Sequence, residues 1–496
     1  MDDREQWRRM LESVLGPEGA EEAMRALEAS GADPAEWAKA SGFAQNPQAL
    51  AAAMQQMQRI LSSDDGGESD WRFAHDVARQ VAHTGGDPAV TAAQAAKVRS
   101  VLTVADLWLD AATDLPPAGT QRVAASRAEW VERTLPTWRA VADPIGVSVS
   151  EALAGVLHDQ LGGELPEELG ALPGGMDLPR LITKLGRLGF AMQVGQGAGT
   201  LSREVFGGTD TGLPLLRGSE LLLVPANVEA FAEGLDAETD EVWHFLAVRE
   251  AAHARLFAHV PWLRAHLLGA VEAYARGVEI DAEQMEEAVR SIDPTDVEQL
   301  RNALGQGIFS PQRTPDQERA LVRLETALAL VEGWVEEVTA TAVAPHLPHA
   351  VPLREMLRRR RAAGGPAEDT FRQLVGLELR PRRARDAARL WALIARDRGI
   401  TGRDELWSQL DLFPTTEDLE HPELFGDRRA DEDDVTADLD AALEAILNDT
   451  GADDAPRENP AQQAPATDEG TEAAEPPDEP GDAEPGDAPR PGGPTG

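Results

Sequence analysis

Residues Asp240 to about His259 read as one helix, and its interior carries Arg249-Glu250-Ala251-Ala252-His253. Phe245, Leu246, Val248, Ala251 and Ala252 surround these charged residues with apolar side chains, so the helix reads as buried. Glu332 sits in a second apolar stretch, among Leu328, Leu330, Val331, Trp334 and Val335. A buried carboxylate needs a partner. Arg249, one turn before His253 on the same face, is the nearest candidate in the central helix. The pattern predicts a buried polar cluster of Arg249, Glu250, His253 and Glu332 inside a helical core. Such a cluster is either a structural ion-pair network or a catalytic or binding pocket.

The stretch is one substitution away from His-Glu-x-x-His. In that pattern two histidines one turn apart hold a metal, and the Glu beside the first handles the proton of the metal-bound water. Glu250 and His253 stand in register with it. Arg249 stands where the first histidine belongs, and a guanidinium keeps its proton, so it cannot be a ligand. His244 lies nine residues before His253 and points to the opposite helix face, while His259 is about 240° round from it. Neither supplies the missing ligand.

Composition narrows the chemistry further. The chain has no Cys among its 496 residues, so a metal site has to use His, Asp or Glu. A formal charge of −41 argues against nucleic acid as a general partner. The charged start Met1-Asp2-Asp3-Arg4-Glu5 does not read as a secretory leader. No apolar run reaches the roughly 18 residues of a membrane span. The expectation is a cytoplasmic protein with no membrane partner.

Along the chain, three regions are expected. Residues 1–67 read as short, loosely ordered Ala- and Met-rich helices. Residues 68–426 read as a helical core. Residues 427–496, acidic and rich in Pro, Gly and Ala, read as a disordered tail. Within the core, a helix over about 88–113 looks apolar round most of its girth, through Val101, Leu102, Val104, Ala105, Leu107, Trp108 and Leu109. Ser126 and Glu129 form a capping box. A separate helix is expected over 147–161. Gly189, Gly195, Gly197 and Gly199 predict close helix packing rather than a dinucleotide fingerprint, because no strand precedes them. The one clear strand signal is 213–216 and 221–224 flanking Arg217-Gly218-Ser219-Glu220. It reads as a β-hairpin beside the central helix, either a structural cap or an edge for extended substrate. Residues 353–403 hold 14 arginines and six acidic residues, whereas 427–496 hold 21 acidic and four basic ones. Transient contact between the two segments is expected, with Val435, Leu439, Leu443, Ile446 and Leu447 forming a short amphipathic docking helix.

Four stretches carry a family resemblance: 249–263 (Arg-Glu-Ala-Ala-His through Val-Pro-Trp-Leu), 330–336 (Leu-Val-Glu-Gly-Trp-Val-Glu), 358–368 (Arg-Arg-Arg-Arg through Pro-Ala-Glu) and 374–383 (Leu-Val-Gly-Leu-Glu-Leu-Arg-Pro-Arg-Arg). Over roughly residues 68–426 the chain resembles a zincin-like family of bacterial hydrolases whose members are labelled zinc-dependent metalloproteases. The resemblance implies a mainly α, multi-helical zincin-like core. It also implies Glu250 as general base, His253 as zinc ligand, Glu332 as third ligand with Glu336 in reserve, and zinc as cofactor. Arg249 and Glu336 are expected as an ion pair of the pocket. Two functions remain open: a metallohydrolase acting on peptides, and a metal-free, non-catalytic zincin-fold protein that binds a peptide or protein partner.

Overall fold

The central helix of the sequence lies deep in the fold. A computed structural model describes residues 67–160, 178–276, 314–362, 370–372 and 383–450. In it that helix spans Thr239–His259, with every side chain from Phe245 to Leu256 buried. In chain order the elements are α1 (Glu68–His83), α2 (Ala92–Leu109), β1 (Arg122–Ala124), α3 (Arg127–Gln160), α4 (Leu178–Ser202), β2 (Leu221–Leu223) and α5 (Pro225–Ala232). There follow the central helix α6 (Thr239–His259), α7 (Pro261–Arg276), α8 (Pro315–Val343), α9 (Ala350–Ala362), α10 (Ala384–Asp404), α11 (Thr416–Glu420) and α12 (Phe425–Thr450). The mainly helical class expected from the periodicity is what the chain adopts. The expectations for residues 1–66 lie outside the described residues.

Residues Met1–Arg428 and Arg429–Gly496 are separate compact units. Of the acidic segment from 427, the part to Thr450 is helix α12, which takes in the short helix expected there. Within that helix Leu439, Leu443, Ile446 and Leu447 are exposed. Residues 451–496 lie outside the described residues.

The hairpin expectation is corrected. Leu221–Leu223 does form a strand, but its partner is Arg122–Ala124, in parallel, with Val123 opposite Leu222. Residues 213–216 are not a strand. Parallel pairing needs a long crossover, and here α3 and α4 supply it. The helix expected round 88–113 is also corrected. α2 buries one face through Val98, Val101, Leu102, Ala105 and Leu109, while Leu107 is 65% exposed. The helix over 147–161 is the second half of α3, continuous with the first through Pro136 and Pro144. The Ser126–Glu129 capping box stands at its start: Glu129 N–H donates to Ser126 Oγ (3.2 Å) and Ser126 N–H to Glu129 Oε2 (2.9 Å).

Buried polar ties fix α6 and α8. Arg255, on α6, is fully buried and donates to the Leu115 carbonyl (2.8 Å), the Asp106 carbonyl (2.8 Å) and Asp110 Oδ1 (2.8 Å). These bonds lock α6 to α2 and the turn after it. On α8, Trp334 donates its indole N–H to Asp404 Oδ1 (3.0 Å), which also receives Arg403 Nε (2.8 Å). Asp404 Oδ2 accepts from the Thr113 hydroxyl at 2.6 Å, so the segment after α2, α8 and α10 share one carboxylate. α10 approaches α8 closely because Gly333 has no side chain: a Cβ there would lie 2.5 Å from that of Ala387.

The glycine run of α4 packs on α1 as its small residues predict. A Cβ at Gly195 would lie 2.5 Å from the Ala74 carbonyl oxygen, and one at Gly199 would lie 2.6 Å from that of Ala78. Gly189, on the same helix, has nothing within 4 Å of that position. In urea denaturation Gly195→Ala is expected to destabilise by about 1–3 kcal/mol, since backbone must move. Gly189→Ala is expected to be neutral or stabilising by up to about 1 kcal/mol. Equal effects at the two sites would show that the α1–α4 contact is not close-packed.

Candidate functional site

α6 and α8 present their polar side chains to each other inside an apolar shell. Arg249 Nη2 donates to Glu332 Oε2 at 2.9 Å, and His253 Nε2 lies 3.0 Å from Glu332 Oε1. His253 Nδ1 lies 2.9 Å from the Arg249 carbonyl oxygen one turn back. A carbonyl can only accept, so Nδ1 carries the proton of that bond. All three side chains are buried: Glu332 at 5% exposure, Arg249 at 8% and His253 at 1%. The predicted trio of Arg249, His253 and Glu332 is therefore brought together across 83 residues of sequence.

A fourth member comes from α9. Arg361 Nη1 pairs with Glu332 Oε2, while its Nη2 donates to the Asp210 carbonyl oxygen (2.9 Å) and lies 3.6 Å from Asp210 Oδ1. Glu332 thus receives two guanidiniums and an imidazole. Burial alone would raise its pKa, but Arg361 first, then His253 and Arg249, hold the carboxyl well below the usual range. Burial and the like charge of Arg361 act against Arg249 and lower its pKa, with Glu332 and Asp210 opposing them. For Arg361 the carboxylates outweigh burial, and its pKa is raised.

Glu250 does not join this group, which corrects the expected four-residue cluster. Its carboxylate turns to the connection between α4 and β2. There it accepts the backbone N–H of Gly208 (3.0 Å) and Thr209 (3.1 Å) and the Thr209 hydroxyl (2.6 Å). Leu222 N–H adds a longer contact at 3.4 Å. The approach is possible only at glycine: a Cβ on Gly207 would lie 2.4 Å from Glu250 Oε2. Burial pushes the Glu250 pKa up, and the Thr209 hydroxyl, His253 and the loop amides oppose it.

The expected Arg249–Glu336 pair is corrected as well. Glu336 is held by Arg358 of α9, whose Nε donates to Oε2 at 2.9 Å and whose Nη2 bonds the other oxygen. Glu336 acts on Arg249 only through its charge. His244 and His259 stay away from the centre, as their helical angles require. His244 stacks on Trp108 at 5.2 Å, and His259 Nε2 faces the Pro117 carbonyl at 3.2 Å. The sequence reading missed Asp210 and Arg361. The signals were the Gly207-Gly208-Thr209 turn, which admits a carboxylate, and the 358–361 arginine run, read as a family motif within an arginine-rich segment.

The centre is thus a helical core in which a buried Arg-Glu-x-x-His helix faces a Glu-Gly helix. The chain belongs to the zincin-like metallopeptidase family, whose profile matches residues 69–425. Among solved structures it is similar to a candidate hydrolase with a novel fold from Chloroflexus aurantiacus. The two share 17% identity and a TM-score of 0.50, over 73% of this chain and 98% of that one. That likeness concerns the fold. No curated protein sequence matches the chain.

The electrostatics of Glu332 give a pH prediction. Its folded pKa lies below its unfolded one, so between the two values the unfolded chain binds more protons. The stability from its ion pairs is present above the unfolded carboxyl pKa, about 4.3, and is lost as pH falls through the folded value. The stability gap between wild type and Glu332→Gln is therefore expected to narrow below about pH 4. A gap in urea midpoints that stays constant from neutral to strongly acid pH would show that the carboxylate charge is not what holds the centre. Arg249→Ala is expected to cost roughly 3–5 kcal/mol, because Glu332 loses a buried partner.

Proposed function

We propose that this chain is a metal-free, non-catalytic member of its family, in which guanidinium groups stand in for the metal ion and the zincin-like fold serves binding. The observation that carries this reading is the occupancy of Glu332. Its two oxygens already face Arg249, Arg361 and His253.

A catalytic zinc takes three protein ligands and leaves one position for water. Arg249 offers none. His253 and Glu332 provide two donor groups, and these face each other at 3.0 Å. Among the described residues no group of three or more His, Asp or Glu is placed to hold a metal. Glu250, the expected proton handler, is committed to four N–H and O–H donors. A zinc ion would also stand next to two guanidiniums in a site of low dielectric, where like charges repel strongly. The residues present do not fit zinc, and no catalytic step follows through it.

The metallohydrolase reading keeps two supports: family membership and the His253 ring. Its Nδ1 is bonded to a carbonyl, as the outer nitrogen of a metal-bound imidazole usually is, and its Nε2 is turned to the centre. Elemental analysis separates the two readings. The protein purified without added metal is expected to hold well under one zinc per chain and to lack peptidase activity. Arg249→His, which completes the His-Glu-x-x-His spacing, is expected to gain zinc when the metal is supplied. One zinc per chain in the unmodified protein would overturn the metal-free reading.

A further inference from the structure

Three arginines of α9 end in three separate seats built mainly from other elements; only Arg358 has a partner within α9, Glu355 at 3.8 Å. Arg358 forks onto the Glu336 carboxylate of α8. Arg360 lies flat over an aromatic pair: its guanidinium carbon is 4.2 Å from the Phe206 ring centroid and 5.7 Å from that of Phe231. Its Nη2 donates to the Glu204 carbonyl at 2.6 Å. Arg361 bridges Glu332 and Asp210, using one edge for a carboxylate and the other for a main-chain carbonyl.

Each contact uses a property that lysine lacks: the planar fork, the two-edged reach or the stacking face. The seats come from α8, α5 and the stretch running from the end of α4 towards β2. Together they offer three contacts suited to guanidinium groups on elements other than α9. α9 itself has a narrow apolar footing. Of its apolar side chains Leu353 and Leu357 are buried, while Val351 is 65% and Met356 41% exposed. The arginine side chains stay a quarter or more open to solvent. Polar ties thus do much of the holding of α9, and partly exposed ion pairs weaken with salt.

We propose that this surface is a binding site for an arginine-rich peptide segment, and that the Arg358–Arg361 run of α9 occupies it in cis. A partner segment takes the seats as α9 lifts, which uncovers the Glu332 centre from the Arg361 side. The proposal rests on the metal-free reading, since it gives Glu332 a guanidinium rather than a metal as its partner.

The test uses the full-length protein and a labelled peptide with the sequence of residues 353–362, beside a control in which every Arg is Lys. In fluorescence anisotropy, the R358A/R360A/R361A variant is expected to bind the Arg peptide about tenfold or more tighter than the Lys peptide. Wild type, with its seats filled, is expected to bind it more weakly than the variant. Equal affinity for the two peptides, or no binding by a variant whose circular dichroism is native, overturns the proposal. A second measurement does not depend on the variant folding. In hydrogen exchange on wild type, excess Arg peptide is expected to speed the amides of 351–362, and the Lys peptide is expected to leave them unchanged. No difference between the peptides counts against the site. Failure here with a zinc-free wild type sinks only this proposal, whereas stoichiometric zinc in wild type sinks the metal-free reading beneath it.

Discussion

The Glu332 carboxylate is the point on which the centre of this fold depends. Three side chains reach it from two other elements: Arg249 and His253 from α6, and Arg361 from α9. A lone carboxylate in that apolar shell would be strongly disfavoured, and so would Arg249 without its counter-charge. Each makes the other tolerable, and together they set the distance and rotation between α6 and α8. Asp210 supplies the second negative charge that lets two guanidiniums sit side by side. The arrangement is near balance rather than strongly stabilising, as buried ion networks generally are. Its effect is to specify one packing of the helices.

Glu250 plays a different part. It turns away from the ion network and gathers the amides of the Gly207-Gly208-Thr209 turn, so that the loop leading to Asp210 has one shape. Two neighbouring carboxyl-bearing sites on one helix pair thus receive opposite treatment. Cations hold Glu332 ionised, while burial among neutral donors raises the pKa of Glu250. Small residues make both sites possible. Gly207 lets Glu250 reach the turn, and Gly333 lets α10 close on α8 beside Glu332.

Family membership and local chemistry point in different directions here. The fold is that of zincin-like metallopeptidases, but function resides in the site rather than the fold. Where a metallopeptidase needs ligands and a free base, this chain has a permanent cation at Arg249 and, at Glu250, a carboxylate already hydrogen-bonded. A scaffold that holds a dication can hold guanidinium groups with the same carboxylate, because both demands are for fixed positive charge. Arg358, Arg360 and Arg361 carry the same kind of contact outward from the centre.

Much of this was legible in the sequence. The apolar surroundings of Glu250 and Glu332 announced burial, and helical spacing placed Arg249 and His253 on one face. The same angular argument kept His244 and His259 out of the centre. The glycine run of α4 announced close packing. These are short-range properties, carried by side-chain type and a period of 3.6 residues. What tertiary structure alone decided was partnership over long separations. Leu221–Leu223 read correctly as a strand, but its mate is Arg122–Ala124 rather than the adjacent 213–216. Glu250 read correctly as buried, but its partners are loop amides rather than Arg249. Arg361 looked like surface charge until α9 carried it onto Glu332. A residue's own window encodes that it must be satisfied. Which distant group satisfies it depends on where the packed helices bring the chain, and no local pattern contains that information.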